Sequence, residues 1–399
     1  MQSAAAGHMK APPATTPLQQ ELAGRIRAHG PLPFADFMRE CLYHPEFGYY
    51  SRPEAQRFAD FYTSVDVHPI FGRLLARQLE EMWQALGCPE EFWAIEAGAG
   101  TGWLAAQVLD FAARELPDFY GAMKYVAVEQ SPARRAAQAA TLGPHLSRGR
   151  ATVAAELPQE IAVGCILSNE LLDALPVHRV VVERGALREV YVGLRAGRRE
   201  DGTRSDDASG SELEEQLGPL TTPELEEYFR QQGITLQETQ QAEAGLEACR
   251  WILDAGRRLE RGFVLTVDYG HEAAEIYNER HMRGTLLAYS QHRVNEEYLQ
   301  APGEQDLTAH VNFTALDVWG RRAGLERSGC VSQMAFLMAL GRANEFADLY
   351  PADASEVERV RARLLLKTLI HPEGMGETFQ VCIHHKGIEA PRLTGLAGI

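Results

Sequence analysis

Residues 95–102 read Ile-Glu-Ala-Gly-Ala-Gly-Thr-Gly, one acidic residue followed by three glycines at alternate positions. Where a parallel strand ends and a helix begins, such a turn brings bare backbone close to an adenosine or a phosphate. The spacing separates the possible ligands. A dinucleotide turn, G-x-G-x-x-G, puts its third glycine at the position held by Trp103, and the Lys-Ser/Thr pair of a phosphate loop is missing. What stands here is E-x-G-x-G-x-G, with Glu96 ahead of Gly98, Gly100 and Gly102. That pattern suits S-adenosylmethionine, whose ribose and amino-acid part press on backbone that a Cβ would obstruct. The ligand carries an ammonium and a sulfonium in place of phosphates, so Glu96 can attract it directly or through water. An ordinary tight strand–helix turn needs glycines too, and the triplet alone leaves both readings open.

Further carboxylates follow at the right distances. The segment YVAVEQ (125–130) ends on Glu129, about thirty residues after the glycines, where an acidic side chain accepts two ribose hydroxyls. Gln130 stands beside it, and Glu156, after the next strand, is placed to meet an adenine amine. In CILSNELLDALPVH (165–178) an apolar strand runs out into Ser168, Asn169 and Glu170, with Asp173 three residues on. Polar residues at that edge of a parallel strand face the ligand crevice. If the segment turns helically, Glu170 and Asp173 share a face, and two carboxylates there grip and orient a guanidinium or polarise another nitrogen nucleophile. Asn169 and Asp173 serve equally as turn and helix caps. His271, after a strand end, can relay a proton, although a hydrogen-bonded loop histidine is the plainer reading. His384 and His385 read as surface residues, and Asp306 as a helix cap.

These residues need a frame, and the chain supplies one. Strand-like FWAIEAG, YVAVE, ATVAA and GCILSNE alternate with helical 103–115 and 132–141. The alternation predicts an α/β fold, a doubly wound and mostly parallel Rossmann-like sheet with helices on both faces. Residues 1–17 read as a vector-derived scar and a disordered tail, 18–90 as a helical N-terminal region, and 91–195 as the cofactor-binding core. Residues 196–260 read as an insertion, a mobile polar stretch to about 222 and then helices. Residues 261–399 return to the sheet with GFVLTVDYG and end on TFQVCIHHK, carrying substrate-side loops.

Composition narrows the classes of function. Of 399 residues, 45% are hydrophobic and 24% charged, a soluble balance without the run of roughly 18 apolar residues that a membrane span needs. The formal charge of −16 opposes nucleic-acid binding, which needs a basic footprint. Six scattered cysteines without a C-x-x-C pair argue against metal binding or a disulfide framework, and for a reducing compartment. A bacterial-type cytoplasmic location is the expectation, with the mitochondrial matrix as its eukaryotic counterpart.

Seven stretches together resemble the MidA family of class I S-adenosylmethionine-dependent methyltransferases. They are ADFYTSVDVHPIFG (59–72), IEAGAGTGWLAAQVL (95–109), SNELLDALPVH (168–178), FVLTVDYGH (263–271), RGTLLAYSQHRV (283–294), APGEQDLTAHVNFTAL (301–316) and HPEGMGETFQV (371–381). The resemblance spans nearly the whole chain from about residue 20. It implies a cofactor site on Glu96, Gly98, Gly100, Glu129 and the Ser168–Asn169–Glu170 edge, with the loop bearing Thr63 and Ser64 closing over it. It places the acceptor by Glu170, Asp173 and the loop of Tyr269, Gly270 and His271; His292 lies in another of the matching stretches. It also implies a methyl acceptor that is a protein nitrogen, arginine first, with a small molecule or a non-catalytic assembly role as alternatives. The sequence departs from the family at Ala59, Val65, Asp66, Ala99 and Thr101, where Gly, Pro, Glu, Pro and Arg are usual. The likeness thus supports methyl transfer more than it supports arginine.

Overall fold

The computed structural model describes residues 15–51, 64–195, 211–290, 293–350 and 353–397. Near-continuous apolar runs make strands buried on both faces. The strands in chain order are β1 (Leu32–Pro33), β2 (Phe92–Ala97), β3 (Met123–Val128), β4 (Ala151–Ala154), β5 (Ile161–Asn169), β6 (His178–Glu183), β7 (Ala186–Leu194) and β8 (Leu213–Gly218). They continue with β9 (Gln241–Ala244), β10 (Leu259–His271), β11 (Leu287–Ser290), β12 (Arg293–Asn295), β13 (Asp306–Thr308), β14 (Val311–Asn312), β15 (Glu326–Ser332) and β16 (Phe379–Lys386).

The main sheet runs β15-β16-β10-β5-β2-β3-β4, with β14 paired to the end of β10. Strands β4, β3, β2, β5 and β10 are parallel, and β16 lies antiparallel between β10 and β15. Alternate residues feed different cores. Ala94, Leu167 and Leu265 pack beneath the helices Ile70–Ala85, Trp103–Glu115 and Gln333–Ala343. Ile95, Ile166 and Val264 pack beneath Leu246–Arg258 and Phe313–Arg321. This is the doubly wound sheet expected from the alternation, and the helices Trp103–Glu115 and Pro132–Thr141 have the expected bounds. Ser131 caps the second of these by accepting from the Arg134 amide.

A second sheet, β1-β7-β6-β9 with β8 on β7, and a three-stranded sheet, β12-β11-β13, stand beside the main one. The helices Pro17–His29 and Phe34–Tyr43 pack on both, their Leu22, Phe37 and Met38 meeting Val192, Leu194, Ala288 and Leu307. Two expectations are corrected here. The later part of the polar stretch is ordered: Leu213–Gly218 pairs with β7 residue by residue, Leu213 is buried, and Glu215 pairs with the buried Arg179. The region after about 222, expected to be helical, is interrupted by a strand, and its long helix begins at Leu246. Gln241–Ala244 is a strand on β6, and Gly245 starts the helix that follows. No helix among the described residues is long and apolar enough to cross a membrane.

Candidate active site

The glycine turn lies between β2 and the helix Trp103–Glu115, and all three glycines have positive φ. Their reasons differ. A Cβ on Gly98 would meet Leu171 Cδ1 at 2.8 Å, whereas a Cβ on Gly100 would meet no protein atom within 4 Å. Backbone left bare beside open space is what an adenosyl ligand requires.

Glu96 is not a free charge at this turn. Its Oε2 accepts from the Tyr125 hydroxyl at 2.7 Å, and the Ala105 amide donates to the carboxyl as well. Burial, opposed by the Tyr125 hydrogen bond and helped by Glu129, pushes it up to about 8. These bonds tie β2 to β3 and to the next helix beside the glycine turn. Glu129 holds the turn from the other side. Its Oε2 accepts from the Gly100 amide at 3.1 Å and its Oε1 from the Ser131 amide at 2.8 Å. A carboxylate has about four lone-pair positions, so two protein donors leave capacity for ribose hydroxyls. Gln130 and Glu156 are exposed on the rim, Glu156 two residues beyond the end of β4.

The parallel register sets Ser168 beside Ala97, one residue before Gly98. Ser168 Oγ and Asn169 Oδ1 are buried without hydrogen-bond partners. Orphaned polar atoms of this kind call for a ligand or water, and they fit a cofactor seated on the turn. Glu170 then adopts a positive φ of 51°. That conformation costs an L-residue roughly 1–2 kcal/mol, and a turn without a task would place glycine or asparagine there. The side chain explains the choice: Oε1 accepts from the Ser64 amide at 3.0 Å and from Asn169 Nδ2 at 3.2 Å. Part of the residue reaches the surface, yet its carboxyl is enclosed, and burial pushes it up to about 8.

Residues 170–177 make an irregular turn, so the helical face expected for Glu170 and Asp173 does not form. The two acids are brought together by a residue the sequence reading passed over. Asp268, fully buried on β10, accepts from the Leu172 amide at 2.8 Å, the Leu171 amide at 3.2 Å and the Tyr269 amide at 3.0 Å. The available signal was an acid inside the apolar run FVLTVDYG, where only a satisfied carboxylate survives burial. Replacing Asp268 by alanine orphans these amides at about 1–3 kcal/mol each. Urea unfolding of Asp268→Ala should therefore show a loss of several kcal/mol, and Asp268→Asn, which keeps one acceptor, a smaller one.

Asp173 is buried, its Oδ1 has no partner, and burial together with Asp268, Asp306 and Glu170 holds its carboxyl far above the usual range. Its backbone carbonyl accepts from Ala309 at 3.0 Å, so residues 306–311 back the turn. Asp306 begins β13 rather than capping a helix, and the Tyr50 hydroxyl donates to its Oδ1 at 3.0 Å. Tyr43 stacks on Tyr50 at 5.4 Å and donates to the Ala174 carbonyl. Tyr269 is hydrogen-bonded to Thr308.

His271 pairs with Glu275 at 3.1 Å and lies 5.5 Å, ring to ring, from His310. Burial and the neighbouring histidines hold His310 down at about 4, so its ring stays neutral near pH 7. Ser64 is fully buried; its amide serves Glu170 and its hydroxyl donates to Gln333. Thr63 and His292 lie outside the described residues. His384 and His385, expected on the surface, are buried, because β16 is an interior strand whose alternate residues face opposite cores.

The glycine turn, the acid that ends β3, and the polar edge of β5 thus meet at one end of a doubly wound sheet. The chain matches Methyltransf_28, a family of S-adenosyl-L-methionine-dependent methyltransferases, over residues 74–331. It is similar to the Drosophila melanogaster protein arginine methyltransferase NDUFAF7 homolog, mitochondrial, with 29% identity over 94% of this chain and 86% of the fly protein. Human protein arginine methyltransferase NDUFAF7, mitochondrial, is 28% identical, covering 91% and 82%. Among solved structures, a COG1565 superfamily member from Burkholderia thailandensis, bound to S-adenosyl-homocysteine, has a TM-score of 0.80. It is 30% identical, over 97% of this chain and 98% of that one. The chain accordingly belongs to this family and is a MidA-type, class I methyltransferase that uses S-adenosylmethionine.

Proposed function

We propose that this methyltransferase acts on an arginine guanidinium of a protein, held between Glu170 and Asp173. The observation that carries the reading is the unpartnered, buried Asp173 Oδ1 in a group of acids that includes Asp268, Asp306 and Glu170. Acids crowded out of water keep their protons or take up a cation. A guanidinium is planar, permanently charged and able to bridge two carboxylates. The relatives' names, which are theirs, point to the same substrate class. On this reading the cofactor is held by the 98–102 turn, Glu129 and the Ser168–Asn169 edge, with Gln130 and Glu156 towards the adenine end. The departures at Ala99 and Thr101 leave that turn its glycines.

When bound, the cofactor supplies an electrophilic methyl on a sulfonium. The chain does the rest. Glu170, fixed by the Ser64 amide and Asn169, draws positive charge towards one side of the guanidinium and leaves the opposite nitrogen richer in electrons. As that nitrogen gains a bond to the methyl carbon, in exchange for the carbon–sulfur bond whose electron pair would leave on sulfur, it sheds one proton, which Asp173 Oδ1 accepts. His271, the last residue of β10, is partly exposed and can pass the proton to solvent. The Tyr43–Tyr50 stack and Tyr269 wall the acceptor from water. The cytoplasmic expectation stays within this proposal for a bacterial chain, while the mitochondrial label belongs to the animal relatives.

The test is methyl-labelled S-adenosylmethionine with cell lysate, comparing wild type with Glu170→Gln and resolving protein from small-molecule fractions. Label on arginine of a protein band, present only with wild type, supports the reading. Label confined to small molecules overturns the acceptor, and no label with intact cofactor binding favours an assembly role.

A pH effect follows from the same acids. Glu96 and Glu170 are pushed by burial to about 8 from an ordinary 4.5, and Asp268 to about 7 from 3.8. Between those limits the native state holds protons that the unfolded chain has released. Stability is therefore greatest below the unfolded values and falls as pH rises through the folded ones. Without ligands, the melting temperature should drop between pH 5 and pH 8.5, and Glu96→Gln should flatten the slope. A cation on Glu170 and Asp173 favours their ionised forms, so acceptor binding releases protons. Calorimetry in buffers of differing ionisation enthalpy reads this directly.

A further inference from the structure

The antiparallel pairing of β15 with β16 sets Cys330 directly opposite Cys382, so the two thiols share one face of the sheet. The same row continues through Thr266 on β10 to Ser168 on β5, so four small polar side chains cross the sheet on one face. His384 follows Cys382 by two residues and shares its face. From the helix above, Phe313–Arg321, Asp317 Oδ1 meets His384 Nε2 at 2.7 Å. One ligand atom each from Asp317, Cys382 and His384 lies within 4.8 Å of the others, and all three residues are buried. His384, 1% exposed, has a second ring nitrogen, Nδ1, with no partner at all.

We propose that Cys330, Cys382, His384 and Asp317 form a binding site for a divalent cation of the Zn2+ class. The ligand types select it. Thiolate and imidazole suit a borderline-soft ion, and one carboxylate completes a four-ligand set. Hard cations such as Mg2+ and Ca2+ want oxygen on every side. Two thiolates and a carboxylate against a dication leave one negative charge, and Arg327, which also pairs with Glu272, lies against it. Its Nη1 donates to Asp317 Oδ2 at 2.8 Å and its Nη2 to Glu272 Oε1 at 2.6 Å. Binding converts both thiols to thiolates and releases their two protons to solvent, while half-buried Cys330 provides the way in. A site closed in this way pins β15 and β16 to the helix above and takes no part in methyl transfer. No linear motif announces it, since the four ligands come from three separate elements.

The experiment uses chelator-treated full-length protein titrated with Co2+, whose thiolate charge-transfer absorption reports sulfur ligation, with bound metal quantified per chain. One Co2+ per chain, displaced by Zn2+, is expected, with binding weakened at least tenfold in Cys330→Ser, Cys382→Ser and His384→Asn and unchanged in Cys88→Ser. No thiolate band in wild type, or one that survives Cys382→Ser and vanishes in Cys88→Ser, overturns the proposal. Should those variants fail to fold, wild-type protein still decides. Zn2+ should protect Cys330 and Cys382 from alkylation, scored by peptide mass spectrometry, and equal labelling with and without Zn2+ refutes the site.

Discussion

Glu170→Gln should lower kcat by about 10²–10⁴-fold, the range for removing a group that manages charge and protons in the reacting complex. Affinity for S-adenosylmethionine should stay near that of the wild type. Glutamine has the same shape, and its Oε1 still accepts from the Ser64 amide, so the turn at φ 51° keeps its anchor. Only the charge is lost. Asp173→Asn should act similarly, and the double variant should cost far less than the product of the two single losses. Two carboxylates that hold one cation are coupled, and their effects do not add. Single-turnover kinetics with a labelled cofactor, beside calorimetric binding, separates the chemical step from affinity. A variant that retains full single-turnover rate removes Glu170 from the mechanism.

The second large effect belongs to the glycine turn. Gly100→Ala should weaken cofactor binding by about 10²-fold or more, equivalent to about 2.7 kcal/mol, while global stability falls by only about 1–2 kcal/mol for the positive φ. The asymmetry arises because the added methyl meets no protein atom within 4 Å. The backbone bonds of Gly100, to Glu129 Oε2 and from Gln138 Nε2, are kept by any residue. Gly98→Ala is the contrast. Its Cβ would lie 2.8 Å from Leu171 Cδ1, so binding and stability should fall together. Thermal melts with and without the cofactor measure both quantities, and equal losses in the two variants would contradict the distinction.

Local pattern carried much of this reading. Helical patterning placed the helices at 103–115 and 132–141, and apolar runs located the strands of the parallel sheet. The turn, Glu129 and the β5 edge were legible because their spacing follows from one strand–turn–helix unit. What was hidden depends on pairing between distant segments. Asp268 lies about 100 residues from the turn it ties down, and its role exists only once β10 sits beside β5. The burial of His384 requires β15 to cover β16, which no property of the motif CIHHK predicts. The Tyr125 hydroxyl that binds Glu96 was equally hidden, because sequence shows the carboxylate and not its partner on the neighbouring strand. A helical period was also imposed on 170–173, where side-chain and backbone bonds to Asp268 and Val267 impose an irregular turn.

The turn that carries Glu170 and Asp173, and Asp306 beside it, are held by hydrogen-bond partners from remote parts of the chain: Tyr43 and Tyr50 near its start, Ser64 after them, and Asp268 and Ala309 far downstream. A nascent chain emerging from the ribosome therefore passes through a long interval in which the glycine turn and its first strands can form while Glu170 and Asp173 have no fixed place. Cofactor capture and methyl transfer should then mature at different moments of synthesis, the first with the leading half of the sheet and the second only after residue 309 has been made.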